Sequence, residues 1–168
     1  MKKYGIPTAK YETFTDAAAA KKYIEKEGAP IVVKADGLAA GKGVIVAETI
    51  EQAMSAVDEI MRDKAFGSAG DCIVIEECLI GEEASVLAFT DGRTIVPMVP
   101  SQDHKRAFDG DKGPNTGGMG TYAPAPVVNN KMMELIQNQI LMPVIDAMNK
   151  EGKKYQGCLY AGLMITSD

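Results

Sequence analysis

A stretch near the beginning of the chain joins a β-branched run to a glycine-rich loop that contains two lysines. It reads Ile31-Val-Val-Lys-Ala-Asp-Gly-Leu-Ala-Ala-Gly-Lys-Gly-Val44. Glycine lets the backbone come close to an anion with its N–H groups pointing inward, and lysine supplies positive charge. The residues that meet these requirements are candidate phosphate ligands: Lys34, Gly37, Gly41, Lys42 and Gly43.

The spacing of this loop excludes a Walker-type phosphate loop. That motif has four residues between its first glycine and the Gly-Lys pair, and serine or threonine follows the lysine. Here three residues separate Gly37 from Gly41, and Gly43 takes the place of the hydroxyl residue. Val44-Ile-Val-Ala47 then predicts a second strand instead of a helix. We therefore expect a strand–loop–strand hairpin that covers phosphates, with an ordinary glycine-rich turn and two solvated lysines as the alternative.

Composition limits the kind of partner. The chain has 168 residues, of which 46% are hydrophobic, so it can form one ordinary domain or two small subdomains. Its net charge is −5 and its lysines are interleaved with carboxylates, which leaves no basic face for nucleic acid or an anionic membrane. No apolar run approaches the roughly 20 residues of a membrane span, and the first residues do not resemble a signal peptide. We therefore expect a cytoplasmic protein whose partner is a small molecule.

Helix and strand signals alternate through the first half of the chain. Thr15 or Asp16 can cap a helix over residues 17–27, and Thr49 with Gln52 forms a capping box for a helix that ends near residue 62. The apolar residues of the second helix recur at helical spacing, which predicts one buried face. Strands are predicted at residues 31–34, 43–47 and 72–78.

The second half has a different pattern. Residues 84–89 and 94–98 predict a hairpin across Asp91-Gly92, a dipeptide that a type I′ turn prefers. A helix over residues 130–150 should be kinked or interrupted by Pro143, and a last strand is predicted at 158–165. Residues 100–129 show no secondary-structure pattern, and long loops of this kind are usually functional.

An acidic crossing joins two of the predicted strands. It reads Ile75-Glu-Glu-Cys-Leu-Ile-Gly-Glu-Glu-Ala-Ser85. Carboxylates repel phosphate, but they accept hydrogen bonds from ribose hydroxyls, and the backbone there can pair with an adenine edge. The alternative is that these glutamates are solvated charges at strand ends: Glu76, Glu77, Glu82 and Glu83.

The long loop is rich in polar donors, glycine and proline. It contains Ser101-Gln-Asp-His-Lys-Arg106 and Gly113-Pro-Asn-Thr-Gly-Gly-Met-Gly120. His104, Lys105 and Arg106 can hold a phosphate or a carboxylate, for which arginine offers a bidentate fork. The glycines can turn main-chain amides toward an anion. The alternatives are an exposed, flexible loop and, for the single histidine, a structural hydrogen bond.

Together, the lysine-glycine hairpin, the acidic crossing and the long loop resemble the phosphoribosylamine–glycine ligase family over essentially the whole chain. The first two recur loosely among ATP-grasp ligases, whereas Gln102-Asp-His-Lys-Arg106 with Gly113–Gly120 is specific to this ligase. The resemblance implies an α+β ATP-grasp fold, in which two α+β subdomains with antiparallel-rich sheets grip ATP between them. Residues 1–80 would be the lid subdomain with the phosphate-binding hairpin. Residues 81–168 would be part of the central subdomain, with a substrate loop at 100–128.

The resemblance also implies a reaction. Members of the family join glycine to 5-phosphoribosylamine in de novo purine biosynthesis and split ATP to ADP and phosphate. The γ-phosphoryl group goes to the glycine carboxylate, and the sugar amine attacks the resulting glycyl phosphate, from which phosphate leaves readily. Catalysis of this kind consists mainly of positioning and charge neutralisation.

Residues for ATP follow from the family pattern. Lys34 would contact the phosphates, and the glycine loop after it would close over them as a lid. The backbone of Glu76 and Leu79 would face adenine, and Glu83 would take the ribose hydroxyls. The full set of nucleotide contacts that the resemblance implies is Lys34, Gly37, Gly41, Lys42, Gly43, Glu76, Glu77, Leu79 and Glu83.

Residues for the other substrates fall in the long loop. Three charged side chains are implied in catalysis: Asp103, Lys105 and Arg106. Substrate contacts are implied for Gln102, His104, Asn115, Thr116, Gly117 and Gly118. The resemblance implies Mg²⁺ with ATP, but the family's metal ligands lie beyond the end of this chain. The three cysteines lack Cys-x-x-Cys spacing and indicate no zinc site.

The family also has an N-terminal and a C-terminal domain that these residues do not include. We therefore expect an excised ATP-grasp core that binds ATP without turnover. Two alternatives stay open at this point: a stand-alone nucleotide-binding module, and another ATP-grasp carboxylate–amine ligase.

Overall fold

The computed structural model describes residues 1–39, 43–110 and 112–167, and at Arg106, Pro114 and Asn115 it describes the backbone alone. The chain divides into two compact units. The first is Ala9–Leu79, and the second is Ile80–Asp168 together with Met1–Thr8. Each unit contains helices and antiparallel sheet, so the predicted α+β class is confirmed.

The first unit is a four-stranded antiparallel sheet with two helices against one face. The strand order is β1-β4-β2-β3. The elements are β1 (Tyr11–Phe14), α1 (Ala17–Glu27), β2 (Ile31–Ala35), β3 (Val44–Ala47), α2 (Ile50–Val57) and β4 (Ile73–Glu77). A π turn over Asp58–Arg62 continues α2, and a 3-10 turn lies at Gly67–Gly70.

Both helices of this unit begin at the predicted caps. The Asp16 side chain accepts a hydrogen bond from the Ala19 N–H at 2.8 Å, which satisfies one free donor in the first turn of α1. The Thr49 hydroxyl accepts from the Gln52 N–H, and the Gln52 side chain accepts from the Thr49 N–H. This reciprocal pair is the predicted capping box, and it is confirmed.

Strand alternation gives the first sheet two different faces. Ile31 and Val33 of β2 and Ile73 and Ile75 of β4 are at most 4% exposed and pack against the helices. The intervening residues necessarily point to the opposite face. That second face carries Val32, Lys34, Val44, Val46, Val74 and Glu76.

The second unit is built around a three-stranded antiparallel sheet with the order β6-β5-β9. Its elements are β5 (Glu82–Thr90), β6 (Ile95–Pro97), β7 (Gln102–Phe108), β8 (Lys112–Tyr122), α3 (Asn130–Ile136), α4 (Met142–Lys150) and β9 (Gly157–Ile165). Ala84, Val86 and Ala88 of β5 face the helices in a second apolar core with Leu141 and Ile145. The alternate β5 residues, Glu83 among them, point away from that core.

Met1–Thr8 joins this second unit through the end of α4. The Tyr4 hydroxyl donates to a carboxylate oxygen of Glu151 at 2.5 Å, and the Lys3 ammonium donates to the same oxygen. These hydrogen bonds hold the pKa of the Glu151 carboxyl below its ordinary value. The Ile6 side chain is 5% exposed.

The prediction of a loop without secondary structure over residues 100–129 is wrong, whereas the substrate role given to residues 100–128 stays a prediction. Most of this segment forms β7 and β8, which pair antiparallel as a separate two-stranded sheet. The Ala125 N–H donates to the Pro100 carbonyl at 2.9 Å and closes the base of this hairpin. The side chains of this segment do not alternate between apolar and polar, so the sequence pattern does not indicate strands. Strands nevertheless form because cross-strand hydrogen bonds join backbone N–H and C=O groups, which glycine also has.

One smaller prediction needed adjustment, and another is confirmed. The β5–β6 hairpin is confirmed, but its connection is a four-residue loop, because Thr90 is paired with Ile95. The Asp91 side chain accepts from the N–H groups of Arg93 and Thr94 at 2.9 and 2.7 Å, which stabilises the wider turn. The interruption of the last helix near Pro143 is confirmed: a π turn over Gln137–Leu141 separates α3 from α4.

Candidate functional site

Lys34 and Glu76 form an ion pair on the second face of the four-stranded sheet. The Lys34 Nζ lies 2.5 Å from a Glu76 carboxylate oxygen, and the two side chains are 35% and 24% exposed. Lys34 is paired with Val74, so Glu76, two residues further along β4, is its diagonal neighbour on the same face. The carboxylate therefore holds a half-exposed ammonium in place. An incoming anion can replace Glu76 as the partner of that ammonium.

Four valines surround this ion pair. Val44 lies opposite Lys34 and Val46 lies opposite Val32, and the Val44 and Val46 side chains are 46% and 42% exposed. We call Val32, Val44, Val46 and Val74 the valine face. An apolar surface with one positioned cation suits a ligand that combines a flat base with an anionic group.

Glycines of the lysine-glycine hairpin are required for packing. A Cβ at Gly37 would lie 2.8 Å from the Ala69 Cβ, and a Cβ at Gly43 would lie 2.7 Å from the Ala39 Cβ. Both positions therefore need a residue without a side chain whether or not an anion binds. Gly41 and Lys42 lie outside the described residues, so their phosphate role stays a prediction.

The structure separates the adjacent carboxylates of β4. Glu76 lies beside Lys34, whereas the Glu77 side chain accepts a hydrogen bond from the Lys10 N–H at 3.2 Å at the strand's end. The Glu77 N–H in turn donates to the Lys10 carbonyl at 2.8 Å. Leu79 follows β4 and is half-buried. Of the predicted nucleotide residues in this unit, the structure brings together Lys34 and Glu76 but not the Glu77 side chain.

In the second unit, Glu83 and Lys105 form the central charge pair. The Lys105 Nζ lies 3.1 Å from a Glu83 carboxylate oxygen, and both side chains are about half-exposed. Burial alone would lower the pKa of the Lys105 ammonium, but the hydrogen bond and the charge of Glu83 outweigh it and raise the pKa above its ordinary value. Lys105 therefore stays cationic at neutral pH. Glu83 is paired with Met164 of β9, which places an apolar side chain next to it.

A cavity of about 210 Å³ lies beside this pair. Its lining brings together most of the predicted catalytic and substrate side chains of β7 with the start of β5: Gly81, Glu82, Glu83, Gln102, Asp103, His104 and Lys105. Lys105 supplies positive charge, Glu82, Glu83 and Asp103 supply carboxylates, and Gln102 and His104 supply further polar groups. The arrangement suits a small polar ligand that has hydrogen-bond donors as well as an anionic end.

Residues of β8 support this cavity from the opposite strand. The Thr116 hydroxyl donates to the Lys105 carbonyl at 2.9 Å and accepts from the Gly118 N–H at 3.1 Å. Gly118 has a φ of +122°, and a Cβ there would come within 3.0 Å of an Asp103 carboxylate oxygen. Gly117 has no heavy atom within 4 Å of its Cβ position. Thr116 and Gly118 therefore shape the hairpin, and their contact with substrate stays a prediction.

Tyr122 is a functional candidate that sequence reasoning missed. It is paired with Gln102, and its hydroxyl donates to the Gln102 side-chain carbonyl. Its ring centroid lies 5.4 Å from that of His104. The valine face and Met164 were missed as well. The alternate positions of Val44 and Val46 in the sequence indicate the valine face. The partners of Tyr122 and Met164 depend on strand register, which sequence alone does not give.

Several predicted residues and groups cannot be placed at these sites. The side chains of Arg106 and Asn115 lie outside the described part of the chain. Among the side chains that are described, no group of three or more His, Cys, Asp or Glu is arranged to hold a metal ion.

None of the described helices has the length and apolarity that crossing a membrane requires.

Comparison with known proteins gives one family. All of residues 1–168 match the family described as phosphoribosylglycinamide synthetase, ATP-grasp (A) domain. A phosphoribosylamine–glycine ligase of Nostoc sp. is 62% identical over 166 residues, which are 99% of this chain and 39% of that protein. The enzyme of the same name from Streptococcus pneumoniae serotype 4 is 57% identical over 168 residues, or 100% of this chain and 40% of that protein.

Solved structures give the same result for the fold. The crystal structure of phosphoribosylamine–glycine ligase from Thermotoga maritima has a TM-score of 0.90 at 36% identity, over 99% of this chain and 42% of that one. D-alanyl-alanine synthetase A from Vibrio cholerae has a TM-score of 0.69 at 19% identity, over 99% of this chain and 49% of that one, and this likeness concerns the fold alone.

The chain thus spans about two fifths of the length of the curated relatives it matches, with 39% and 40% for the two relatives above. The match covers the lysine-glycine hairpin, the acidic crossing and the β7–β8 hairpin alike. The chain therefore belongs to the phosphoribosylglycinamide synthetase ATP-grasp (A) domain family and has the ATP-grasp fold.

Proposed function

We propose that the chain is the ATP-binding core of a cytoplasmic phosphoribosylamine–glycine ligase. The complete protein would join glycine to 5-phosphoribosylamine and split ATP to ADP and phosphate, as a step of purine biosynthesis. The observation that supports this most is the family match over all 168 residues, including the motif Gln102–Gly120. Because the chain spans only part of its relatives, the proposal concerns the complete protein that contains it.

In this proposal the first unit binds ATP through the second face of its sheet. Lys34 would leave Glu76 to bind the phosphates, and the valine face would contact the adenine ring. The lid role of the loop from Gly37 to Gly43, the adenine contacts of the Glu76 and Leu79 backbone and the nucleotide contact of Glu77 remain part of the proposal. A half-exposed ammonium next to an apolar surface supports it, because a phosphate and a flat base need these two environments.

The second unit would handle the ribose and the other substrates. Glu83 accepts hydrogen bonds, as ribose hydroxyls require, and Lys105 beside it can neutralise charge on a phosphoryl group in transfer. Asp103 and Arg106 are proposed for catalysis, and Gln102, His104 and Asn115 for substrate contacts. Mg²⁺ would accompany ATP and neutralise phosphate charge, but we assign it no ligand among the described side chains.

The chemistry requires activation of a carboxylate. A carboxylate oxygen is a poor leaving group, and transfer of the γ-phosphoryl group to glycine turns it into a good one. The amine of 5-phosphoribosylamine then forms the amide bond, and phosphate leaves. The chain's own contribution would be to orient the reactants and to balance negative charge with Lys34 and Lys105.

An assay of phosphate release by the complete gene product tests this function. We expect release from ATP that requires both glycine and 5-phosphoribosylamine. The Lys105→Ala variant should lose about 10²–10³-fold in kcat, the range for removal of one charge-stabilising group. Lys131→Ala, which removes an exposed lysine of α3, should behave as wild type. Phosphate release that does not require both glycine and 5-phosphoribosylamine would refute the ligase function and favour another enzyme. ATP binding without any phosphate release would favour a binding module.

A further inference from the structure

The hairpin of β7 and β8 places three polar or aromatic side chains on one of its faces. Gln102 and Tyr122 are directly opposite each other, and His104, two residues after Gln102, lies on the same face. Gly120 is opposite His104, and no heavy atom lies within 4 Å of its Cβ position. The centroids of the His104 and Tyr122 rings lie 5.4 Å apart, at an interplanar angle of 32°.

The Tyr122 hydroxyl determines how the Gln102 amide is oriented. It donates to the Gln102 Oε1, so the carbonyl end of the amide is occupied by Tyr122. The amide NH₂ group, which carries two donors, then points away from Tyr122. Because Gln102 lines the cavity beside Lys105, those donors and the Lys105 ammonium border the same cavity.

Three carboxylates line the same cavity, those of Glu82, Glu83 and Asp103, so the part of it that favours an anionic oxygen is next to the Lys105 ammonium and the Gln102 amide donors. Carboxylate and phosphate oxygens both accept from an NH₂ group, whereas an amide carbonyl turned toward the ligand would repel them. Tyr122 thereby decides which end of the Gln102 amide faces the ligand, and it takes no part in making or breaking bonds.

We infer that Tyr122 is a positioning residue, which orients the Gln102 amide and steadies the His104 ring so that Gln102 donates to an anionic oxygen of a non-nucleotide substrate. This inference rests on the proposed ligase function. The oxygen belongs either to the carboxylate of glycine or to the phosphate of 5-phosphoribosylamine, and separate titrations of the two substrates distinguish these sources.

A double-mutant cycle in the complete gene product tests the inference. The variants are Tyr122→Phe, Gln102→Ala and the two together, with KM measured for each substrate and kcat measured alongside. Tyr122→Phe removes only the hydroxyl and should raise KM for glycine or for 5-phosphoribosylamine about five- to tenfold, the size expected for one lost hydrogen bond. KM for ATP and kcat should change less than about twofold. Gln102→Ala should raise the same KM, and the second substitution should add nothing further, because Tyr122 acts through Gln102.

A matched control comes from the same unit. Tyr155 is half-buried, and its hydroxyl donates to the Cys158 carbonyl at 2.7 Å. Tyr155→Phe therefore loses the same atom and one hydrogen bond, but it should leave all KM values unchanged. Unchanged substrate KM values in Tyr122→Phe, a change confined to ATP, or additive effects of the two substitutions would overturn the inference.

A spectroscopic measurement separates this inference from the ligase function. The side-chain NH₂ signals of Gln102 in the nitrogen–proton spectrum should shift in Tyr122→Phe and stay in place in Tyr155→Phe. If the wild-type protein lacks ligase activity, the proposed function fails, and this spectrum still decides the orienting role. Unshifted Gln102 signals would refute it.

Discussion

At the scale of single residues, strand alternation decides which of the acidic side chains lies beside Lys34. Glu76 and Glu77 are adjacent in sequence, but only Glu76 lies with Lys34 on the valine-bearing face of its sheet. The Glu77 side chain is bound to the Lys10 N–H at the strand's end. A shift of the β4 register by one residue would exchange the two, so the register is as important to the site as the residue types.

Gly81 is the residue whose replacement should affect the second unit most directly. A Cβ at this position would lie 2.2 Å from the Ile165 carbonyl oxygen and 2.8 Å from the carbonyl carbon, which are backbone atoms that cannot rotate away. Gly81→Ala should therefore force β5 and β9 apart at the start of their ladder. We expect a loss of about 1–3 kcal/mol in the free energy of unfolding, the usual cost of overpacking, measured by urea denaturation.

Gly120→Ala is the matched control for this substitution, because its Cβ position has no neighbour within 4 Å. It should change the free energy of unfolding by less than about 0.5 kcal/mol, as surface substitutions usually do. Equal stability of Gly81→Ala and Gly120→Ala would show that the β5–β9 contact is looser than the structure indicates.

At the scale of elements, the sequence predicts those helices and strands whose signals are local. The helix over Ala17–Glu27 was predicted with its bounds, because Asp16 caps it and Gly28 ends it. The Thr49–Gln52 capping box and the strands around the lysine-glycine loop are confirmed in the same way. In each case the deciding contacts lie within a few residues of one another.

The β7–β8 hairpin was missed because its stability does not come from local pattern. The glycines of β8 show no alternation of apolar and polar residues, and the register of Gln102 with Tyr122 joins residues twenty positions apart. Candidate site residues in this segment could be predicted from residue types alone. Which of them meet, as Glu83 and Lys105 do, depends on pairings that a single sequence does not reveal.

The capping box of α2 provides a test at this scale. Thr49→Ala removes the hydroxyl that accepts from the Gln52 N–H and leaves a backbone donor of the first turn without its side-chain partner. We expect a loss of about 1 kcal/mol in the free energy of unfolding, measured by chemical denaturation. Thr49→Ser keeps the acceptor and should retain most of the stability, whereas equal losses in both variants would assign the effect to the lost methyl group.

At the scale of the whole molecule, both units divide their sheets in the same way. One face of the four-stranded sheet and one face of the three-stranded sheet pack against helices to form the cores, and the opposite faces carry charged candidates, Lys34 with Glu76 in one unit and Glu83 in the other. Helices bury enough apolar surface on one side to leave the other side free for polar groups. The fold therefore supplies two stable platforms, and the chemistry depends on a few side chains that point away from the cores.

Isothermal titration calorimetry with MgATP tests most directly the proposed binding of ATP through Lys34. Lys21, which pairs with Asp58 at 2.5 Å in the same unit, provides the control. Wild type and Lys21→Ala should bind MgATP in preference to MgGTP with similar affinity. Lys34→Ala should bind about 10–100-fold more weakly, as expected when a charge-assisted hydrogen bond to phosphate is lost. Equal ATP affinity in Lys34→Ala and wild type, or no ATP binding by wild type, would contradict the claim.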